Sequence, residues 1–290
     1  MHSNISEASQ DFVADLLKTI FIPPCPTVVA ALMQESWREE VDFLRVVQLI
    51  GSDVSLVAAV MKMANSSMFL AQQRVDSIQK AVILLGTKNV FAIVTGIGLS
   101  QSLGPKNVGM EQFWTRTNCH TLAVTRLARR LPGVPVEDAY LFGLFHDCGV
   151  PILMQRFADY ADTMALALRS ARPVWQVEQE RHHTDHALVG AMLARNWQLP
   201  PVIAKAIAAH HDFGRLERHS EDADGVVLGL TAISLVADHL LARMSDQADD
   251  VEWMAHGATA MEYLGFDEAE MDDICRDLND EIAAIRNEHR

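Results

Sequence analysis

The sequence predicts an all-α protein, and three observations carry that expectation. Apolar residues recur at helical spacing through most of the chain, which marks one buried face of an α-helix. Ala, Leu and Met are frequent and aromatic residues make up only 7%, and such side chains lose little freedom on entering a helix. No stretch alternates apolar and polar residues as a half-buried strand does.

Taken in order, residues 11–20 read as an amphipathic helix that ends at Ile22-Pro23-Pro24-Cys25-Pro26. These prolines cannot continue a helix, and Pro26 can open the next. Helices are expected over 27–35 and 39–50, then from a cap at Ser52 or Asp53 through Ala64, with Asn65-Ser66-Ser67 as the exit. Ser77 caps another that ends at Gly86, and 89–103 follows. Gly104-Pro105-Lys106-Asn107 is the clearest linker. Beyond it, helices are expected over 111–131, 136–156, 158–170, 174–183, 185–196, 200–211 and 225–244, with a polar loop over 214–224. Two more, over 249–265 and 267–287, form an acidic appendage. The expected domains are therefore 1–105, 106–245 and 246–290.

With 290 residues, the chain is long enough for a sizeable core. Its net charge of −14 and lack of a basic patch argue against direct nucleic-acid binding. From Asp246 onward only Arg276, Arg286 and Arg290 oppose many Asp and Glu, a pattern that reads as a solvated helix face. The four cysteines, Cys25, Cys119, Cys148 and Cys275, have no CxxC spacing and fit a reducing compartment. Residues 1–12 have no signal-peptide core, and no apolar run reaches the ~20 residues that span a bilayer. A cytoplasmic protein without a membrane partner is expected.

The chemistry-bearing residues begin with Gly143-Leu144-Phe145-His146-Asp147-Cys148-Gly149. An adjacent His-Asp pair at a helix end can offer an imidazole nitrogen and a carboxylate oxygen to one divalent cation. His120 lies on a long amphipathic helix, and Asp238 sits inside Ile233-Ser234-Leu235-Val236-Ala237-Asp238. A carboxylate among apolar neighbours needs a partner or a metal. His186, His210 and His211 each stand near a helix end between them. His2, His219, His256 and His289 read as ordinary surface or core residues, as do His182, His183 and His239. Cys119 and Cys148 read as small buried side chains rather than ligands.

The order His120, His146-Asp147, Asp238 resembles the metal-binding pattern of the HD phosphohydrolase superfamily. A finer resemblance, over about Ile20 to Leu241, is to the HDOD domain, an HD-related output domain of bacterial signalling. It is carried by Pro23-Pro24-Cys25-Pro26, Ala64-Asn65-Ser66-Ser67-Met68-Phe69, and Ser77 through Gly86. Phe113-Trp114, Gly143 through Gly149, His186 with Val189-Gly190-Ala191, Trp197-Gln198-Leu199-Pro200, and Ala206 through His211 complete it. The chain departs at Asp53-Val54, where the family tends to have Asp-Pro. Val150 stands where active HD enzymes often carry Lys, and His210-His211 leads into Asp212-Phe213-Gly214 without the Gly-Tyr-Pro motif of cyclic-di-GMP phosphodiesterases.

The resemblance implies an HD-like helical bundle preceded by an N-terminal helical subdomain. It favours a regulatory protein acting through protein or ligand binding, with a response regulator, a histidine kinase or a cyclic-dinucleotide enzyme as partner. No room for a fused receiver domain is expected before Ile22. The alternative is a metal-dependent phosphohydrolase acting on a nucleotide or another phosphoester. His120, His146, Asp147 and Asp238 would then hold a first divalent metal (Fe, Mn, Mg, Zn or Ni), with His146 and Asp147 catalytic. His186, His210 and His211 would hold a second or orient the phosphate. A third reading, a relic packed as core, requires a hydrogen-bonding partner for Asp238.

Overall fold

The computed structural model describes residues 16–66, 74–104, 108–217, 224–245 and 251–288. Its regular elements are all helices, with no strand among the described residues. Two compact units are distinguished: Pro23–Pro105, and Met1–Ile22 together with Lys106–Arg290. The two C-terminal helices cluster with the second unit.

The first unit contains α1 (Thr27–Ser36), α2 (Phe43–Gly51), α3 (Val54–Ala64), α4 (Ile78–Leu85) and α5 (Thr87–Ser102). Local chemistry fixes their ends. The Asp53 carboxylate accepts from the Ser55 and Leu56 N–H groups at 2.7 and 3.3 Å and starts α3. Ser77 accepts from Lys80 N–H at the start of α4, which stops at Gly86, φ +76°. The expected helix over 39–50 begins only at Phe43. Asp42 caps it by accepting from Arg45 N–H, and the buried Glu35 carboxylate takes the Asp42 N–H at 2.9 Å, so the preceding residues turn instead of coiling. Asn65 stitches the exit of α3: its amide donates to Val75 O at 3.0 Å and its carbonyl accepts from Val75 N–H at 2.8 Å. Ser67 to Phe69 lie outside the described residues. Val29, Leu32, Val46, Ile50, Val60 and Leu99 are buried at the centre of this unit.

The second unit contains α6 (Val108–Ala128), α7 (Val136–Phe145), α8 (Gly149–Arg156), α9 (Tyr160–Ser170), α10 (Val174–His182), α11 (His186–Asn196) and α12 (Pro201–Ala209). It continues with the short α13 (Gly214–Glu217), α14 (Gly225–Arg243), α15 (Val251–Leu264) and α16 (Glu268–Glu288). Thus part of the expected loop over 214–224 is a helical turn, and 218–223 lie outside the described residues. So do residues 11–15 of the expected helix over 11–20 and residues 105–107 of the linker.

The expected continuous helix over 136–156 is two helices, broken at His146-Asp147-Cys148. The cause is a close crossing. A Cβ on Gly149 would stand 2.0 Å from His186 O, so only glycine lets the chain turn against α11 there. Pro151 falls in the first turn of α8, where its missing N–H is tolerated. A second close crossing joins α6 to α7, where a Cβ on Gly143 would meet Thr121 Cα at 2.7 Å. Helix α6 also packs along α14 and α16, and α12 bridges α11 and α14. Helix α14 is long and apolar enough to cross a membrane by length and composition, yet 78% of its apolar window is buried in the protein.

Candidate metal centre

Helix spacing aims the first pair of elements at each other. Arg116 and His120 are one turn apart on α6, and Ser234 and Asp238 are one turn apart on α14. Across the two helices, Arg116 Nη2 lies 3.4 Å from Asp238 Oδ1 and His120 Nε2 lies 3.9 Å from Asp238 Oδ2. The Ser234 hydroxyl is 3.2 Å from His120 Nε2. The break between α7 and α8 adds His146, whose ring stacks on His120 with centroids 3.9 Å apart.

Asp147 is the hub. Its Oδ2 lies 3.2 Å from His146 Nε2, while its Oδ1 lies 3.4 Å from His186 Nε2 and 3.7 Å from His210 Nε2. His211 closes the group with its Nε2 2.9 Å from His186 Nε2. Donor atoms of His186, His210 and His211 all lie within 4.8 Å of one another, a spacing that one metal ion can span. The structure thus brings together His120, His146, Asp147, His186, His210, His211 and Asp238.

Each histidine around Asp147 is oriented from behind. His146 Nδ1 pairs with Gly143 O at 2.8 Å and His210 Nδ1 with Ile207 O at 2.7 Å, both carbonyls of the preceding turn. His186 Nδ1 pairs with Glu178 Oε2 at 2.7 Å, and the same oxygen accepts the His186 backbone N–H at 2.9 Å. Tyr160 donates its hydroxyl to the other Glu178 oxygen. His211 Nδ1 pairs with Glu252 at 2.9 and 3.0 Å. An Nδ1–H donor to a carbonyl or carboxylate leaves Nε2 as a lone-pair donor, the tautomer that binds metal.

Electrostatics agree with that assignment at His210 and His211, while His146 and His186 are raised and favour a second proton. Burial and the neighbouring His186 push His210 down to about 3, and burial with His210 holds His211 well below the usual range. His120 is likewise held low by burial. Burial opposes the charge on Asp147, but His146 and His186 outweigh it and hold the carboxyl well below its usual range. His186 moves the other way: burial pulls it down, yet Glu178 and Asp147 raise it to about 9. Burial pushes Asp238 up against the pull of Arg116.

These residues fit a divalent cation. His210 Nε2 is buried, points at Asp147, and has no hydrogen-bond partner among the described residues. Asp238 has Arg116 as a partner, which a relic would need, but a relic packed as core leaves that imidazole nitrogen unexplained. Among the other described histidines, His182 stacks on Phe157 and pairs with Thr163 at 2.8 Å, and His239 stacks on Trp253. The Cys148 sulfur faces Gly190 O at 3.8 Å and is pushed up by burial.

Sequence reasoning missed Glu178, Glu252, Tyr160 and Arg116. Glu178 carries no motif and is recognisable only as a fully buried acid. Glu252 belongs to the acidic segment expected to be a solvated face, yet its side chain is only 15% exposed.

The HDOD domain family matches residues 22–213, about two thirds of the sequence. The chain belongs to the HDOD family. Among curated proteins, this HDOD protein is 24% identical over 196 residues to an uncharacterized protein of Treponema pallidum, covering 66% of the chain but 38% of that relative's length. The fold recurs in a candidate phosphohydrolase from Shewanella amazonensis SB2B, with a TM-score of 0.69, 23% identity and 94% of both chains covered. It recurs also in an HDOD domain protein of unknown function from Geobacter sulfurreducens, with a TM-score of 0.68, 21% identity, and 98% and 97% covered. A candidate signal transduction protein from Marinobacter aquaeolei VT8 gives a TM-score of 0.69 at 21% identity, with 99% of this chain and 66% of that chain covered. At such identities these likenesses establish the fold alone.

Proposed function

We propose that this HDOD protein is a signalling protein whose HD-like unit binds divalent cations and hydrolyses a phosphoester. One observation carries the reading: four histidines turn Nε2 towards a shared carboxylate, or towards each other, while every Nδ1 is held by an acceptor behind it. In this reading His146, Asp147, Asp238 and His120 would hold one cation, and Asp147 with His186, His210 and His211 would hold another. An imidazole-rich set with few carboxylates suits Mn, Fe, Ni or Zn better than Mg. A cation held there would supply a Lewis acid for a phosphoryl oxygen and for an attacking water.

The chain's own residues supply the rest. Asp147, held ionised beside His146 and His186, would help position the attacking water. Arg116 stands at the rim, its side chain 64% exposed, and offers a cation to the outer oxygens of a phosphate. It takes the role that Val150 cannot. Cytoplasmic action beside a response regulator, a histidine kinase or a cyclic-dinucleotide enzyme belongs to the same reading.

The test is hydrolysis by Mn-loaded protein of phosphomonoester and phosphodiester probes carrying p-nitrophenol. Turnover that disappears in His146→Ala and Asp147→Ala supports the reading. No turnover of either class by the metal-loaded protein contradicts it.

A second reading assigns the physiological output to protein docking by the Pro23–Pro105 unit. None of the centre's residues belongs to that unit, and it leaves Leu44, Val54 and Ile83 exposed at 67%, 85% and 71%. Genetic complementation separates the two. Asp147→Ala that complements, with failure of polar substitutions at Leu44, Val54 and Ile83, favours docking.

A further inference from the structure

The family match ends at residue 213, but the contacts around the centre do not. Glu252 lies in the first turn of α15. Both its oxygens face His211 Nδ1, at 2.9 and 3.0 Å, and Oε1 also accepts from the Trp175 indole N–H at 3.0 Å. Trp175 belongs to α10, the helix whose Glu178 orients His186 in the same manner. Two histidines of one prospective ligand group are therefore backed by two carboxylates, one from inside the family-matched segment and one from outside it.

The position of Glu252 is fixed independently of His211. One residue further on, Trp253 stacks face to face on His239 of α14, with centroids 3.7 Å apart and planes 6° apart. Helix α14 is the one that carries Asp238. Helix α16 is tied to the neighbouring elements by ion pairs: Asp277 with Arg130 at 2.9 Å, Asp272 with Arg243 at 2.7 Å, and Glu281 with Arg126. Arg126 lies on α6 with His120, and Arg243 on α14 with Asp238. A largely covered carboxylate needs partners to hold its charge, and among those of Glu252 are the imidazole and indole N–H groups.

We propose that Glu252 is a positioning residue of the metal centre: it fixes the tautomer and direction of His211, and thereby sets the affinity of the cation bound by His186, His210 and His211. The acidic C-terminal helices are then a working part of the centre. The inference rests on the cation-binding reading above. Removal of such a supporting carboxylate commonly costs about 10–100-fold in metal affinity.

The experiment compares the full chain with Glu252→Ala, Glu252→Gln and, as a control on the same helix, the exposed Glu262→Ala. Mn(II) binding is followed by calorimetric titration, and the His211 tautomer by nitrogen-15 NMR of the cation-free protein. Two cations are expected in the wild type and in Glu262→Ala. In Glu252→Ala one of the two cations should lose about 10–100-fold in affinity while the other is unchanged. The His211 ring should pass from the Nδ1–H form to a mixture. Glu252→Gln keeps a carbonyl acceptor and should recover part of both effects, and it carries the test if the alanine variant does not fold. Affinities within about threefold of wild type in Glu252→Gln and any folded Glu252→Ala, with an unchanged tautomer, overturn the proposal and leave the centre itself standing. A wild type that binds no cation overturns the centre and this proposal with it.

Discussion

Replacing Gly149 by alanine should damage the centre without touching a donor atom. The added Cβ would stand 2.0 Å from His186 O and 2.8 Å from His186 Cα. A carbon–oxygen contact needs about 3.2 Å or more, so the α8–α11 crossing must open by over ~1 Å. Both sides are backbone, which cannot swing aside as a side chain can. Overpacking of this kind costs about 1–3 kcal/mol, and a backbone collision belongs at the upper end. At ~2–4 °C per kcal/mol for a unit of this size, Tm should fall by about 6–12 °C. His186 should move with α11, away from Asp147 and Glu178, so cation affinity should fall by more than about 10-fold. Differential scanning calorimetry and Mn(II) titration read the two effects. Gly51→Ala is the control, because nothing stands within 4 Å of its Cβ position. A Gly149→Ala protein that melts within about 2 °C of wild type and binds Mn(II) equally would refute the crossing as the device that places His186.

Three further outcomes follow from the same contacts. With His186 raised to about 9, its protonated form stabilises the cation-free protein fully below ~6.5, and that contribution is lost as pH rises through 9. His210, held down at about 3, acts in the opposite sense, and its contribution is lost as pH falls below ~6.5. The cation-free Tm should therefore be highest near neutrality, and calorimetry in buffers of different ionisation enthalpy should show Mn(II) binding at pH 7.5 releasing about one proton from His186; pH-independent binding without proton release would contradict this. Asn65→Ala should lower stability by ~1–3 kcal/mol in urea unfolding, since it strips partners from Val75 N–H and Val75 O, and should leave cation binding unchanged. Purified protein should not turn over cyclic-di-GMP, because no Gly-Tyr-Pro motif follows His210-His211; turnover lost in His146→Ala would show otherwise.

Most helices were legible because their signals are local. Asp53, Ser77 and Gly86 mark helix ends by side-chain capping and a left-handed backbone, which depend on neighbours in sequence. The break at His146–Cys148 was not legible, because its cause is the His186 carbonyl on another helix. Of the seven donor residues, His146-Asp147 and His210-His211 stood out as pairs and Asp238 as an acid in an apolar run, while His120 and His186 were marked only by their places on helices and by the family resemblance. Glu178 and Glu252 did not stand out, since a carboxylate that orients a ligand through one hydrogen bond has no required spacing from it. Glu252 was further disguised by an acidic segment whose other members, such as Asp272 and Asp277, do lie at the surface. Arg116 gave no signal beyond its place one turn before His120.

The most direct test of the two-cation centre is the metal content of Mn-loaded protein after exhaustive dialysis, measured by elemental analysis in wild type and Asp147→Asn. Asparagine keeps the shape of the hub but removes the charge that faces His146 through one oxygen and His186 with His210 through the other. Two Mn(II) per wild-type chain and at most one in a folded Asp147→Asn are predicted. No bound metal in the wild type, or the same content in both proteins, would contradict the account.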